Sequence, residues 1–128
     1  MLRPIRETVF IEEQMVPVEL EWDGIDENCR HVLAMSNGKA IGTGRLIPDG
    51  HIGRMAVLKQ WRKKGVGSAI LQELIKLARQ KKLHQVILNA QVSAEMFYKK
   101  FGFETVSSIF DDAGIPHVKM VLRLPTSC

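Results

Sequence analysis

A mixed α/β domain built on a mostly antiparallel sheet is the fold class this sequence predicts, on three observations. Asn37-Gly38 stands between two strand-like runs, and it is the dipeptide that a two-residue hairpin turn needs for its positive φ angles. Ile70, Leu71, Leu74, Leu77 and Ala78 recur with the period of a helix, with Gln72, Glu73, Lys76, Arg79 and Gln80 on the rest of its surface. Short strand-like and helical runs then alternate to the end of the chain, as in a sheet with helices on its faces.

Taken in order, Leu2 to Gln14 carries Ile5, Val9 and Phe10 at helical spacing with Arg6, Glu12 and Glu13 between them, which predicts a short amphipathic helix. Met15 to Asn28 holds Pro17, Gly24 and the acidic residues Glu19, Glu21, Asp23, Asp26 and Glu27, and reads as a loop. His31 to Met35 and Lys39 to Ile47 form the hairpin. Pro48-Asp49-Gly50 is a turn signal, and His51 to Leu58 is a third strand, so a three-strand meander is expected. After the long helix Gly67 to Lys82, Gln85 to Leu88 suits a buried strand. Ser93 is placed to cap a helix running to Lys100, and Gly102 to end it. Phe103 to Phe110 and His117 to Leu124 read as two strands joined by Asp111-Asp112-Ala113-Gly114-Ile115-Pro116.

With 128 residues, 45% of them hydrophobic, the chain can build one packed core without disulfides or metals, and 1–128 is expected to be a single domain. Its apolar stretches reach no more than about half of a bilayer span, and no charged-then-apolar leader opens it, so a cytoplasmic protein is expected. Cys29 and Cys128 form no CxxC pair, and His31, His51 and His84 have no metal-ligand spacing, so free thiols and no metal are expected. Trp22 and Trp61 read as packing residues. The net charge of +4 favours an anionic ligand without choosing among nucleic acid, lipid and phosphate.

The chemistry-bearing stretch is Arg62-Lys63-Lys64-Gly65-Val66-Gly67-Ser68, which puts three cations and two glycines between a strand and the long helix. A helix start exposes unpaired N–H groups and the positive end of the macrodipole, so it accepts a pyrophosphate where no side chain blocks approach. The plainer alternative is a tight turn beside a solvated basic patch. A P-loop is excluded by the absence of GxxxxGK[ST], and Ile70 stands where a dinucleotide fingerprint wants its third glycine.

Arg62, Gly65 and Gly67 meet the [RQ]-x-x-G-x-[GA] hallmark of the GNAT superfamily of N-acetyltransferases, which the chain resembles. Ala94-Glu95-Met96-Phe97-Tyr98-Lys99-Lys100-Phe101-Gly102-Phe103 is similar to its second hallmark, a helix carrying a tyrosine followed by Gly-Phe. The resemblance implies the GNAT fold, splayed at the family's fourth and fifth strands, with acetyl-coenzyme A as acyl donor. It also implies that the family's usual first strand is missing, because only Met1 to Pro4 precede the first expected helix. Met55, Ala56 and Val57 would lie along the pantetheine arm, Arg62, Lys63, Lys64, Gly65, Val66, Gly67 and Ser68 around the pyrophosphate, and Gln91 and Phe97 beside the cofactor. Gln91 stands where the family commonly has asparagine.

Attack of an amine on a thioester requires a neutral nucleophile, a stabilised oxyanion and a proton for the leaving thiolate. By resemblance Tyr98 is the general acid, the alternative being an aromatic packed with Phe97 and Phe101. His117 can titrate near neutrality and resembles the base of the glyphosate N-acetyltransferase-like branch, the alternative being a structural histidine or a water as base. Arg54 interrupts an apolar strand where an unpaired charge would be costly, and is either ion-paired to Glu13 or Glu21 or a clamp for an anionic acceptor. The acidic residues Glu19 to Glu27 could instead attract a cationic amine. The expected function is transfer of an acetyl group to a primary amine of a small, anionic acceptor through a ternary complex. The alternatives are a non-catalytic coenzyme A binding module and, ranked last, a nucleic-acid binder; neither membrane nor nucleic acid is expected as a partner, and a homodimer is compatible.

Overall fold

The computed structural model describes residues 6–11, 16–23, 30–62 and 65–125. A five-stranded antiparallel sheet runs in chain order through β1 (Arg6–Ile11), β2 (Val16–Asp23), β3 (Arg30–Ser36), β4 (Lys39–Leu46) and β5 (Ile52–Val57). One turn of 3-10 helix, Lys59–Trp61, leads to α1 (Val66–Gln80). The second sheet is formed by β6 (Gln85–Gln91), β7 (Glu104–Thr105), β8 (Phe110–Asp112) and β9 (Ile115–Arg123), with β9 central to it, and the short α2 (Glu95–Lys99) follows β6.

The core lies on one face. Val18, Leu20, Val32, Ala34 and Leu46 are buried there, and the register sets Leu20 beside Ala34 and Ala34 beside Gly42. Gly42 and Gly44 let α1 sit close: a Cβ on Gly44 would come within 2.7 Å of Ile70 Cγ2 and 2.9 Å of Leu74 Cδ1. Small residues on the sheet thus receive the helix's large ones, and Ile70, Leu71 and Leu74 are completely buried. In the second sheet Val86, Leu88, Ala90, Val118, Met120 and Leu122 continue this core. The α2 end closes on it at Gly102, φ 97°, where Leu122 Cδ1 stands 3.1 Å from a would-be Cβ.

Among the described residues the strands of the two sheets are bridged at one point. His51 and Ile87 form an isolated parallel bridge, and Ile87 N–H donates to Gly50 O at 2.9 Å. The turn before it is held by Asp49, whose Oδ1 accepts from His51 N–H at 3.0 Å and lies 2.9 Å from His51 Nδ1. Those bonds from His51 hold the Asp49 carboxyl below the ordinary carboxylate range.

Several elements differ from expectation. The helix expected over Leu2 to Gln14 is the strand β1 in its described part, so the sheet opens with a strand. Thr8-Val9-Phe10-Ile11 is a β-branched and aromatic run, and it pairs along its whole length with β2. The loop expected over Met15 to Asn28 contains β2, because Val16, Val18, Leu20 and Trp22 alternate with Pro17, Glu19, Glu21 and Asp23, a period of two hidden by its acidic residues. Pro17 is tolerated because pairing with β3 starts only at Glu19. The meander therefore has five strands. Both described α-helices pack against the core, α1 through Ile70, Leu71 and Leu74 and α2 through Phe97 and Tyr98. Ser93 makes no capping bond; it lies in a 3-10 turn before α2. The connection expected over Asp111 to Pro116 is a two-residue turn, with Ala113 at φ 54° and Gly114 at φ 80°, which is why β8 and β9 reach Asp112 and Ile115.

Gly50 is the residue on which the junction turns. Its φ is +102°, and a Cβ there would stand 2.6 Å from the carbonyl oxygen of Gln85, a backbone atom that cannot swing away. Gly50→Ala is expected to lose about 2 kcal/mol or more of stability, read as a lower urea midpoint at unchanged slope. An unchanged midpoint would show that the two sheets do not need this close approach.

Candidate active site

Beyond the His51–Ile87 bridge, β5 and β6 diverge, as expected for the family's fourth and fifth strands. A cavity of about 390 Å³ fills the gap, lined by Ile52, Gly53 and Met55 from β5, by Leu88, Asn89, Ala90 and Gln91 from β6, and by Ala94, Tyr98 and His117. Strand register assigns these groups to two sides. Ile52 and Leu46 belong to the core face, so Gly53 and its partner Arg45 belong to the opposite one. The parallel bridge carries that opposite face on through Ile87 to Asn89 and Gln91, and His117 lies directly across from Gln91. Tyr98 reaches the cavity from α2, on the core side.

The register of β4 against β5 slips between Thr43 and Arg45: Arg54 and Met55 together face Gly44, a bulge in β5. Leu58 N–H donates to Ile41 O at 2.8 Å, toward β4. By strand alternation the N–H and C=O of Val57 therefore turn toward the gap. Arg62 Nε donates to Val57 O at 3.1 Å, which fixes the arginine beside the strand end.

At the start of α1, Gly65 adopts φ 91°, a left-handed conformation that suits glycine, and no side chain caps the helix. There is no acidic residue in the first turn, so the dipole's positive end is not neutralised there by a carboxylate. Gly67 faces a slot: its absent Cβ would lie 3.9 Å from both Phe97 Cζ and Val57 Cγ2. Any larger residue would fill that slot. The donor set of backbone N–H groups and a neighbouring arginine suits a pyrophosphate. Lys63, Lys64 and the side chain of Arg54 lie outside the described residues.

Tyr98 is wedged among aromatic rings, with edge contacts to Phe97 at 5.1 Å and Phe103 at 5.8 Å between centroids. Burial pushes its phenol above the ordinary range, so it keeps its proton. His117 Nδ1 lies 2.8 Å from Ile115 O, and its ring stacks on Phe110 at 6.0 Å. A carbonyl can only accept, so the proton of this bond is on Nδ1 and the neutral ring presents a bare Nε2, the form that can take up a proton.

Of the residues singled out in the sequence, Met55, Gln91, Tyr98 and His117 line the one cavity, while Val57 accepts from Arg62 and stands with Phe97 around the absent Cβ of Gly67. Val66 is buried and Ser68 half-buried in the first turn of α1. Ala56 lines a second groove along β4 and β5, together with Leu33, Thr43, Val57 and Arg62. Asn89, Gly53 and Arg45 were not singled out. Asn89 fell beyond the expected end of the Gln85 to Leu88 strand, although the polar steps Asn89 and Gln91 in an apolar run were the available signal.

Residues 4–124 match the family model described as an acetyltransferase (GNAT) domain, and the chain belongs to that family. The uncharacterized N-acetyltransferase YjcF of Bacillus subtilis is 41% identical over 121 residues, covering 91% of this chain and 86% of YjcF. The crystal structure of an acyl-CoA N-acyltransferase from Pseudomonas aeruginosa superposes with a TM-score of 0.68 at 26% identity, over 73% of this chain and 68% of that one. A GNAT family acetyltransferase from Elizabethkingia anophelis, solved with acetyl-CoA bound, shares the fold at a TM-score of 0.63 and 18% identity, over 77% of this chain and 78% of that one. Among the described residues no group of three or more His, Cys, Asp or Glu could hold a metal ion, and no helix is long and apolar enough to cross a membrane.

Tyr98 is the chain's single tyrosine, so its ionisation can be read directly from phenolate absorbance. Burial disfavours the charged form, so the folded state holds the proton longer than the unfolded one, and the associated stability is lost as pH rises through the folded value. The titration midpoint is expected above that of free tyrosine and to return to it in urea. A native midpoint at or below the free value would show that the ring is solvated.

Proposed function

We propose that the protein transfers an acetyl group from acetyl-CoA to the primary amine of a small acceptor, both bound at once. The observation that carries this reading is one cavity with a protonated phenol on the core side and a histidine with a bare Nε2 on the other. The loop of Arg62 and Gly65 to Ser68, with Lys63 and Lys64, is assigned to the pyrophosphate. Met55, Ala56 and Val57 follow the pantetheine arm, Phe97 borders it, and Gln91 offers an amide beside it. That a protein of the same fold from Elizabethkingia anophelis was solved with acetyl-CoA bound supports the choice of donor.

An alkyl amine with a pKa of about 10 costs roughly 4 kcal/mol to neutralise at pH 7. His117 Nε2 takes the amine proton, directly or through a water, as the nitrogen attacks the thioester carbon. Val57 N–H, turned into the gap, donates to the carbonyl oxygen as it gains charge. When the carbon–sulfur bond breaks, Tyr98 gives its phenolic proton to the departing sulfur. The nitrogen–carbon bond replaces it, and no acyl group rests on the protein. Arg54, at the bulge, is assigned to the acceptor, whose anionic character would match its charge.

Acetyl-CoA at 100 times its dissociation constant is expected to stabilise the protein by about 2.7 kcal/mol, a shift of several degrees in Tm. ATP and NAD should give none. Gly67→Val, which fills the slot at the helix start, should abolish the shift. In thiol-release assays across a panel of amines, Tyr98→Phe and His117→Ala should each lower kcat about 100-fold while leaving the coenzyme A shift in place. No shift with either coenzyme A ligand would overturn the reading. A shift without turnover of any amine, unaffected by the two substitutions, would reduce the protein to a binding module.

A further inference from the structure

Arg45 is a cation that the proposed chemistry does not use. It lies in β4 on the face opposite the core, directly across from Gly53 of β5. Its Nε is buried and has no hydrogen-bond partner, a costly state for a guanidinium nitrogen. The side chain leans from β4 over β5 toward the gap: one terminal nitrogen, Nη2, lies 3.7 Å from where a Cβ on Gly53 would be. Gly53 itself lines the cavity, so the guanidinium lies over a residue of the cavity wall that has no side chain to intervene. His117 and Gln91 belong to this same face.

We propose that Arg45 is a specificity-determining residue that binds an anionic group of the acceptor, so that the amine acetylated belongs to a molecule carrying a carboxylate or phosphate. This rests on the acyl-transfer reading of the same cavity. A guanidinium presents its donors as a planar fork, and an oxyanion meeting its terminal nitrogens on the Gly53 side would match that geometry. Arg45 and His117 stand on strands separated by β5, the gap and β6, at least about 14 Å apart at the backbone from the usual strand spacing. The side chains shorten that span from both ends. The acceptor therefore bridges them, its amine toward His117 and its anion toward Arg45, with the two groups some bonds apart.

The test uses the full chain and matched acceptors that differ by one group: L-lysine against cadaverine for the carboxylate, and O-phosphoethanolamine against ethanolamine for the phosphate. In at least one pair the anionic member should have a kcat/KM at least about 10-fold higher, through KM, and the pair that shows it identifies the anion. Arg45→Gln should reduce that ratio about 10-fold or more, and Arg45→Lys, which keeps the charge but not the fork, should restore part of it. The thermal shift with coenzyme A is measured on each variant and should persist, which separates loss of acceptor recognition from loss of fold or donor site. Turnover with no preference for an anionic member, or a preference that Arg45→Gln leaves unchanged, overturns the inference while leaving acyl transfer standing. If wild-type protein shows neither a coenzyme A shift nor turnover, the underlying reading falls first and the inference with it.

Discussion

Two sheets meet at one backbone bridge, and the rest of the molecule is arranged around that contact. Ile87 N–H reaches Gly50 O because Gly50 has no side chain to collide with Gln85, and past this point β5 and β6 part. Had they stayed paired, the edge of β5 would be satisfied by β6. Because they part, the polar groups of Val57 face a gap: its carbonyl takes a hydrogen bond from Arg62 Nε, and its N–H is left to water or a ligand. An opening of this kind is stable only if the core closes it elsewhere. Here α1 spans both sheets, seated on Gly42 and Gly44 on one side and continuous with Val86 and Leu88 on the other.

The gap also separates the chemical roles by face. The helix start, Gly67, Phe97 and Tyr98 belong to the core side, where burial keeps a phenol protonated. Gly53, its partner Arg45, Asn89, Gln91 and His117 belong to the opposite side, where residues are half-buried or exposed. A slit through a sheet lets two molecules approach one reacting point from opposite directions without competing for space. Direct transfer between them is the chemistry such a geometry favours, because neither has to leave before the other arrives.

The two histidines of this region illustrate how context decides a role. His51 bonds to the Asp49 carboxylate and belongs to the turn that joins the sheets. His117 has a carbonyl on Nδ1 and an aromatic face beneath it, so the other nitrogen of this cavity-lining ring is left bare. Residue type alone does not distinguish them; the acceptor at Nδ1 does.

Much of this was legible in the chain itself. The Asn37-Gly38 hairpin, the amphipathic period of α1, the Gly102 helix end and the two motifs around Gly65 and Tyr98 are local patterns, each fixed by backbone conformation or by one helix face. The first two strands were not legible, because Ile5, Val9 and Phe10 fit a helical spacing as well as a strand, and only pairing of Val9 with Val18 and of Leu20 with Ala34 chooses between them. Ser93 was misread for the same reason: a capping residue works only where the helix begins, and the 3-10 turn moved that start to Glu95. Arg45 drew no notice at all in Gly42-Thr43-Gly44-Arg45-Leu46, since its meaning lies in what stands across from it. Sequence determined the local conformations and the family motifs, which depend on neighbours along the chain. Tertiary structure decided which distant groups share the cavity and from which face, because strand register, and not sequence spacing, sets those contacts.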